Sequence, residues 1–422
     1  MMFSRQTNLF RAFPAILLIC AVMVPCLSSC ATAAPISGET VSHEVSLQEP
    51  APEPAVPVTD PYPDAAKEVV FRSQGTDVFR SGISETGDFA FPNDPVRGQM
   101  SFNGWWVSCD EGVVPLTGDW VASHPGESRI IANARWTNTS FVLEPYATFG
   151  NTQDGSVYGD YIFRFNASGL GMIHDMSTLR YVNTLALDSV MLNYFKPHSN
   201  CTSFGCTYYE EGDEFPLFYS NAYNNYDVKI DRLLGTVGVY RITREDRRFT
   251  ARLVQVIRIG FASDKNLWMS GIGADKSPYG NMVVDTENGK LWFFVPRDTN
   301  KTTRFFCFDI PTADAGEFSE TFGVNLVTLR EEDILDMFDV PYSNYLQGAC
   351  YHDGKIYSTE GMGTGVAPNG VRIIDLNNRI EDSFVDFFAT KYWKEAEFID
   401  FWNEDCYFSD FTQQVYRLTG IQ

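Results

Sequence analysis

The chain has 422 residues, with 54 acidic against 32 basic side chains and a formal net charge of −22. A surface this acidic repels phosphate backbones and anionic headgroups, which argues against nucleic acid as a partner. Past residue 65 too much chain remains for one ordinary compact core, so a repeat architecture is expected to hold it.

The N-terminus reads as a processing signal. Arg5 and Arg11 precede the apolar run AILLICAVMV (15–24), which is too short to span a bilayer as a stable helix. The run ends in Leu27-Ser28-Ser29-Cys30, which resembles the lipobox of bacterial lipoproteins. That resemblance implies cleavage before Cys30, diacylation of its thiol and membrane attachment through the lipid. An ordinary signal peptide cut after Ala31-Thr32-Ala33 is the alternative. Either one exports the chain. The lipobox further places it in the cell envelope, anchored to the outer or cytoplasmic membrane and exposed to the periplasm or the exterior.

Residues 30–65, with EPAPEPAVPVTDPYPD at their centre, are too rich in proline to join a core and are expected to form an extended tether. The exported chain holds six further cysteines: Cys109, Cys201, Cys206, Cys307, Cys350 and Cys406. Their even number permits three disulfides. Cys201 and Cys206 are close enough to bridge locally, whereas Cys307, Cys350 and Cys406 lie in strand-like runs and are expected to be buried thiols. No CxxC occurs, so zinc is not suggested.

From residue 66 to 422 the pattern is strand after strand, with runs such as KLWFFV, RFFCFDI and GVRIIDL bounded by Gly, Asn and Asp. One helix is expected, at 330–338, where acidic residues crowd the first turn. Two distant stretches, QDGSVYGDYIFR (153–164) and QGACYHDGKIYS (347–358), share a register. Ile162 and Ile356 lie equally far from Gln153 and Gln347. Each stretch opens a meander of four strands, and weaker copies start near His198, Asn281 and Glu395.

The last copy has only three strands before the chain ends. A closed ring would need an N-terminal strand to complete it, and KEVVFRS (67–73) is the expected partner of 414–418. A further unit at about 98–150 brings the count to six blades, with five or seven as alternatives. The expected fold is therefore an all-β propeller. By its repeats the chain resembles bacterial β-propeller lipoproteins and is loosely similar to YWTD, NHL and glutamine-cyclotransferase-like propellers. That resemblance implies a fold and no particular activity.

In a propeller the residues opening the innermost strands converge on one ring. Here they are Gln153, His198 with Asn200, Asn281, Gln347, and Glu395 or Glu397. Amides donate and accept, carboxylates bind cations or sugar hydroxyls, and a histidine can move protons near neutral pH. The leading expectation is a small polar ligand or a glycan bound at the channel rim. The alternatives are a hydrolase or lyase using His198 with a rim carboxylate, with or without calcium, or a protein-interaction scaffold. Tyr208, Tyr209, Tyr219, Tyr223 and Tyr226 could supply a sugar-stacking surface. Trp105 and Trp106 must point to opposite faces of a strand, so one of them belongs to the core.

Overall fold

The computed structural model describes residues 57–187, 199–222, 235–262, 281–297, 301–343, 345–363, 365 and 368–421. Cys30, His198, Tyr223 and Tyr226 lie outside them. The described chain is nearly all-β, its sheets arranged as a propeller.

The N-terminal part contributes β1 (Glu68–Ser73), β2 (Thr76–Gly82), β3 (Ser101–Cys109), β4 (Gly112–Pro115), the short α1 (Gly118–Ser123), β5 (Arg129–Asn138) and β6 (Val142–Thr148). The first blade is β7 (Gly155–Tyr158), β8 (Tyr161–Phe165), β9 (Leu170–Asp175) and β10 (Tyr181–Ala186). The second is β11 (Thr202–Phe204), β12 (Phe218–Ala222), β13 (Thr236–Glu245) and β14 (Arg248–Ile259). The third uses β15 (Met282–Asp285), β16 (Lys290–Arg297), β17 (Thr302–Asp309) and β20 (Asp336–Pro341). The intervening β18 (Glu317–Ser319) and β19 (Val324–Leu329) leave that blade and lengthen the second, β19 running parallel to β14.

The fourth blade is β21 (Leu346–His352), β22 (Lys355–Glu360), β23 (Gly370–Asp375) and β24 (Ile380–Asp386). The fifth is β25 (Ala396–Trp402), β26 (Asp405–Asp410) and β27 (Gln414–Thr419), completed by β6. The innermost strands β7, β11, β15, β21 and β25 pack in cyclic order, β25 returning to β7.

Strands such as YIFRF read as continuous apolar runs because both faces of every blade are covered. Ile162 packs toward the fifth blade with Phe398 and Tyr407. Its neighbour Phe163 packs toward the second blade with Phe204 and Phe218. The same alternation sends Ile356 to the third blade and Tyr357 to the fifth. The shared register of the two opening stretches is real: Val157 pairs Ile162 where Tyr351 pairs Ile356.

Four expectations are corrected. The described strands form five sheets, not six blades, because residues 98–150 make no blade of their own. Instead β1–β5 form an apron on the outer edge of the fourth blade, where β5 runs parallel to β24. Second, the closing strand comes from the N-terminal part but is β6; β1 pairs with β2 and β5. Third, residues 330–338 are not a helix. The Asp333 carboxylate accepts the Arg330 N–H at 2.7 Å and closes a single 3-10 turn. The chain then extends into β20, where Phe338 stacks on Phe305. Fourth, Cys201 and Cys206 are both free. Cys307, Cys350 and Cys406 are buried thiols, as expected.

Trp105 lies in the apron's core while Trp106 faces outward under the Arg135 guanidinium. Tyr219 is core and cannot stack a sugar. Closure through β6 sets an expected outcome. A chain beginning at residue 155 leaves β27 as a bare edge and is expected to lose cooperative thermal unfolding and to aggregate. A chain beginning at residue 57 is expected to melt as the full chain does. Circular dichroism on both checks this.

Candidate ligand site at the head of the inner strands

An innermost strand pairs with a neighbour on one side only, so its other edge carries backbone groups that need partners. Here side chains from other blades supply them. Asp154 accepts the Thr202 N–H at 2.8 Å, and Asp400 accepts the Val157 N–H at 2.7 Å. Asn200 donates to the Leu346 carbonyl at 3.1 Å and Asn281 to the Gln347 carbonyl at 3.0 Å. The Cys201 thiol lies between, 3.2 Å from the Gln347 carbonyl and 3.2 Å from the Asn281 amide. Asn200 and Asn281 thus join the ring expected of them, with their amide donors engaged in holding blades together.

Gln347 and Glu395 also meet: the Gln347 amide donates to Glu395 Oε1 at 2.9 Å. Both are half-buried at the head of their strands. Burial raises the Glu395 carboxyl above its ordinary range, and the Gln347 amide partly offsets that. Glu397, two residues on, is buried. Its carboxyl is pushed well up, by burial first and by Glu395 next. Gln153 donates only weakly, to its neighbour's carbonyl at 3.4 Å, and its Oε1 is buried without a partner.

Sequence reasoning missed Arg164. It sits on β8 opposite Gly155, fully buried, where a Cβ on the glycine would stand 2.8 Å from the arginine's Cδ. One terminal nitrogen donates to the Gln153 carbonyl at 2.9 Å, while Nε and Nη1 have no partner. No carboxylate makes an ion pair with it among the described residues. Burial brings the guanidinium down to about 10, with Asp154, Glu397 and Asp410 pulling the other way. It remains a cation.

The signal was present in the repeat. Arg164 occupies the position of Ser358 in the fourth blade, and Gly155 that of Ala349. Asp154 likewise corresponds to Gly348. A Cβ on Gly348 would lie 2.3 Å from the Glu397 carbonyl and 2.5 Å from Asp154 Oδ1. The glycine is what lets that carboxylate in. Asp154 Oδ1 has no hydrogen-bond partner, and burial pushes its carboxyl well up.

The two other described histidines of the blades are packed against rings. His174 stacks on Phe149 with centroids 4.6 Å apart, and burial with the nearby Arg164 charge lowers it to about 4. His352 stacks on Phe401 at 3.8 Å. His198, the expected proton carrier, lies outside the described residues. Among the described residues no group of three or more His, Cys, Asp or Glu side chains could hold a metal ion, so the calcium expectation finds no ligand set there.

No protein-family model matches the chain, and no curated protein matches its sequence. Among solved structures it is similar to the glutaminyl cyclase of Myxococcus xanthus, at 11% identity and a TM-score of 0.35, over 66% of this chain and 94% of that one. At that identity and score the likeness carries no argument about activity.

Two outcomes follow from the latches. Gly348→Ala is expected to destabilise the fold by about 1–3 kcal/mol in urea titration, since neither contact can retreat without opening the channel. Asp400 is raised to about 7 by burial. Its native carboxyl therefore holds a proton that the unfolded chain releases near pH 4. The associated stability is complete below that pH and is lost as pH rises through about 7. Relative to wild type, Asp400→Asn is expected to gain stability between pH 5 and 8 by at most about 4 kcal/mol. Urea midpoints across that range check the trend.

Proposed function

We propose that the protein is an exported, lipid-anchored propeller that binds a small polar molecule or a glycan where its inner strands begin. The observation that carries this reading is a set of buried polar atoms without protein partners. Gln153 Oε1, Asp154 Oδ1 and Asn200 Oδ1 belong to strand heads, and Arg164 Nε and Nη1 lie behind them. Leaving such atoms unsatisfied costs on the order of 1–3 kcal/mol each, so they need water or a ligand. The half-buried Gln347–Glu395 pair offers the accessible end of the same region. Acceptors and donors stand together, which suits a molecule bearing hydroxyl or amide groups that both give and take hydrogen bonds. Attachment through a diacylated Cys30 would place this binding domain at the membrane surface, spaced from it by the proline-rich segment.

The test is calorimetric titration of the exported chain, made soluble by Cys30→Ser, with a panel of mono- and disaccharides and amino-acid amides. At least one probe is expected to bind, and Gln347→Ala or Glu395→Gln is expected to weaken it by about tenfold or more. Binding that ignores both substitutions would overturn the site, and failure of the whole panel at millimolar concentration would overturn the ligand class. Separately, Cys30→Ser is expected to release the protein from the membrane fraction and to abolish incorporation of labelled palmitate.

A further inference from the structure

The apron on the fourth blade has two faces. Val69, Phe71, Ile130, Ala132 and Ala134 bury one of them. The other face looks into an open cleft of about 640 Å³ that stands apart from the channel. That volume is in the range of small-ligand sites, roughly 300–1,000 Å³. Ile131 and Ile380 give the cleft an apolar floor, and Trp120, with His124 stacked on it at 4.1 Å, forms a side wall.

The charges on this floor are sorted by strand register. In the parallel pair β1–β5, Arg72 stands opposite Asn133, and Glu68 opposite Arg129. Asn378 packs against the β1–β2 turn at Gly75, which brings Arg379 to the Arg72 end. Arg72 reaches Asp77 through Nε at 2.6 Å, and Arg379 reaches Asp336 through Nε at 2.8 Å. Both acids lie outside the cleft lining, so the guanidinium heads are held from behind.

The opposite end is acidic. In the antiparallel pair β3–β5, Val107 stands opposite Ala132, which carries the β3–β4 turn with Asp110 and Glu111 past Arg129. Glu127 lines the cleft there too, and all three carboxylates are exposed. Arg129 is taken by Glu68 at 3.1 Å, and His124 approaches Glu111 at 3.7 Å. Asn133 and Arg129 are four positions apart on β5, so the two ends are separated by about 13 Å.

We propose that this cleft binds a short extended peptide as a zwitterion, its carboxylate at Arg72 and Arg379 and its free amine at Asp110, Glu111 and Glu127. Extended chain advances about 3.3–3.6 Å per residue, so three or four residues fill the span. The apolar floor receives small side chains, and the paired guanidinium forks suit a terminal carboxylate.

The probe is tetraalanine, titrated calorimetrically into the exported chain carrying Cys30→Ser, together with its N-acetylated and C-amidated forms. The free peptide is expected to bind, and each cap to weaken it by about tenfold. In the double variant Arg72→Ala, Arg379→Ala the acid and amide forms are expected to bind alike while acetylation still weakens. In Glu111→Gln, Glu127→Gln the reverse is expected. Gln347→Ala, at the channel, is expected to change nothing. The proposal is overturned if wild-type protein takes up no tetraalanine at about 10 mM, if capped and free forms bind equally, or if Gln347→Ala abolishes binding. The capping series on wild-type protein decides the matter even where a variant folds poorly.

Discussion

Everything in this ring depends on how the inner edges of five strands are satisfied. A blade buries both faces against its neighbours, which settles four of its strands' side chains, but its first strand still presents a row of backbone donors and acceptors toward the axis. Water cannot line that edge where adjacent inner strands touch. The solution is a side chain from another blade: Asp154 for Thr202, Asp400 for Val157 and Asn281 for Gln347 from the neighbouring blade, and Asn200 for Leu346 from the second blade to the fourth. These contacts tie blades together as directly as the apolar cores do. They also explain why polar residues recur where inner strands begin, before any ligand is considered.

Two buried arginines show the difference between a charge used for folding and one left over. Arg372 on β23 is fully engaged, with Glu360 at 3.0 Å, the Tyr342 carbonyl at 3.0 Å and the Glu381 carboxylate. Glu381 in turn accepts Arg135 of β5 at 2.8 Å, and Arg97 reaches Asp382 at 2.8 Å. This network fastens the apron to the fourth blade, where β5 and β24 share only two paired positions. Removing one partner would strand a buried charge, which is far more costly than the net worth of the pair. Arg164 has no such network. Its cation is buried beside carboxyls that burial raises, with two nitrogens unpaired. Folding alone gives no reason to place it there.

Local pattern carried the blades well. The spacing from Gln153 to Ile162 and from Gln347 to Ile356 correctly placed two inner hairpins, because a two-residue period and a turn are both local properties. What failed was long-range pairing. KEVVFRS has the β-branched run of any buried strand, and nothing in it distinguishes β27 from β5 as a neighbour. The six-blade count failed for the same reason: residues 98–150 supply strands, but only their pairing shows that they extend a sheet already formed. The helix expected at 330–338 rested on acidic residues that do favour a helix start. Asp333 instead used its carboxylate within one turn, and Phe338 gained more by stacking in a sheet.

The same repeat that fixed the register also shows, in its exceptions, where the proposed site departs from what folding requires. Where two blades are equivalent position by position, a residue that the fold requires should have a counterpart of the same kind. Ile162 and Ile356 do. Arg164 against Ser358, Gly155 against Ala349 and Asp154 against Gly348 do not, and these departures are mutually adjusted: one glycine clears space for the arginine, the other for the aspartate. Ring polarity is a poor guide to function, because the strand edges demand it in every blade. Broken equivalence is a better one. It points away from Asn281, whose amide donor is consumed by backbone, and toward the wedge between the first, fourth and fifth blades that holds Gln153, Arg164, Gln347 and Glu395.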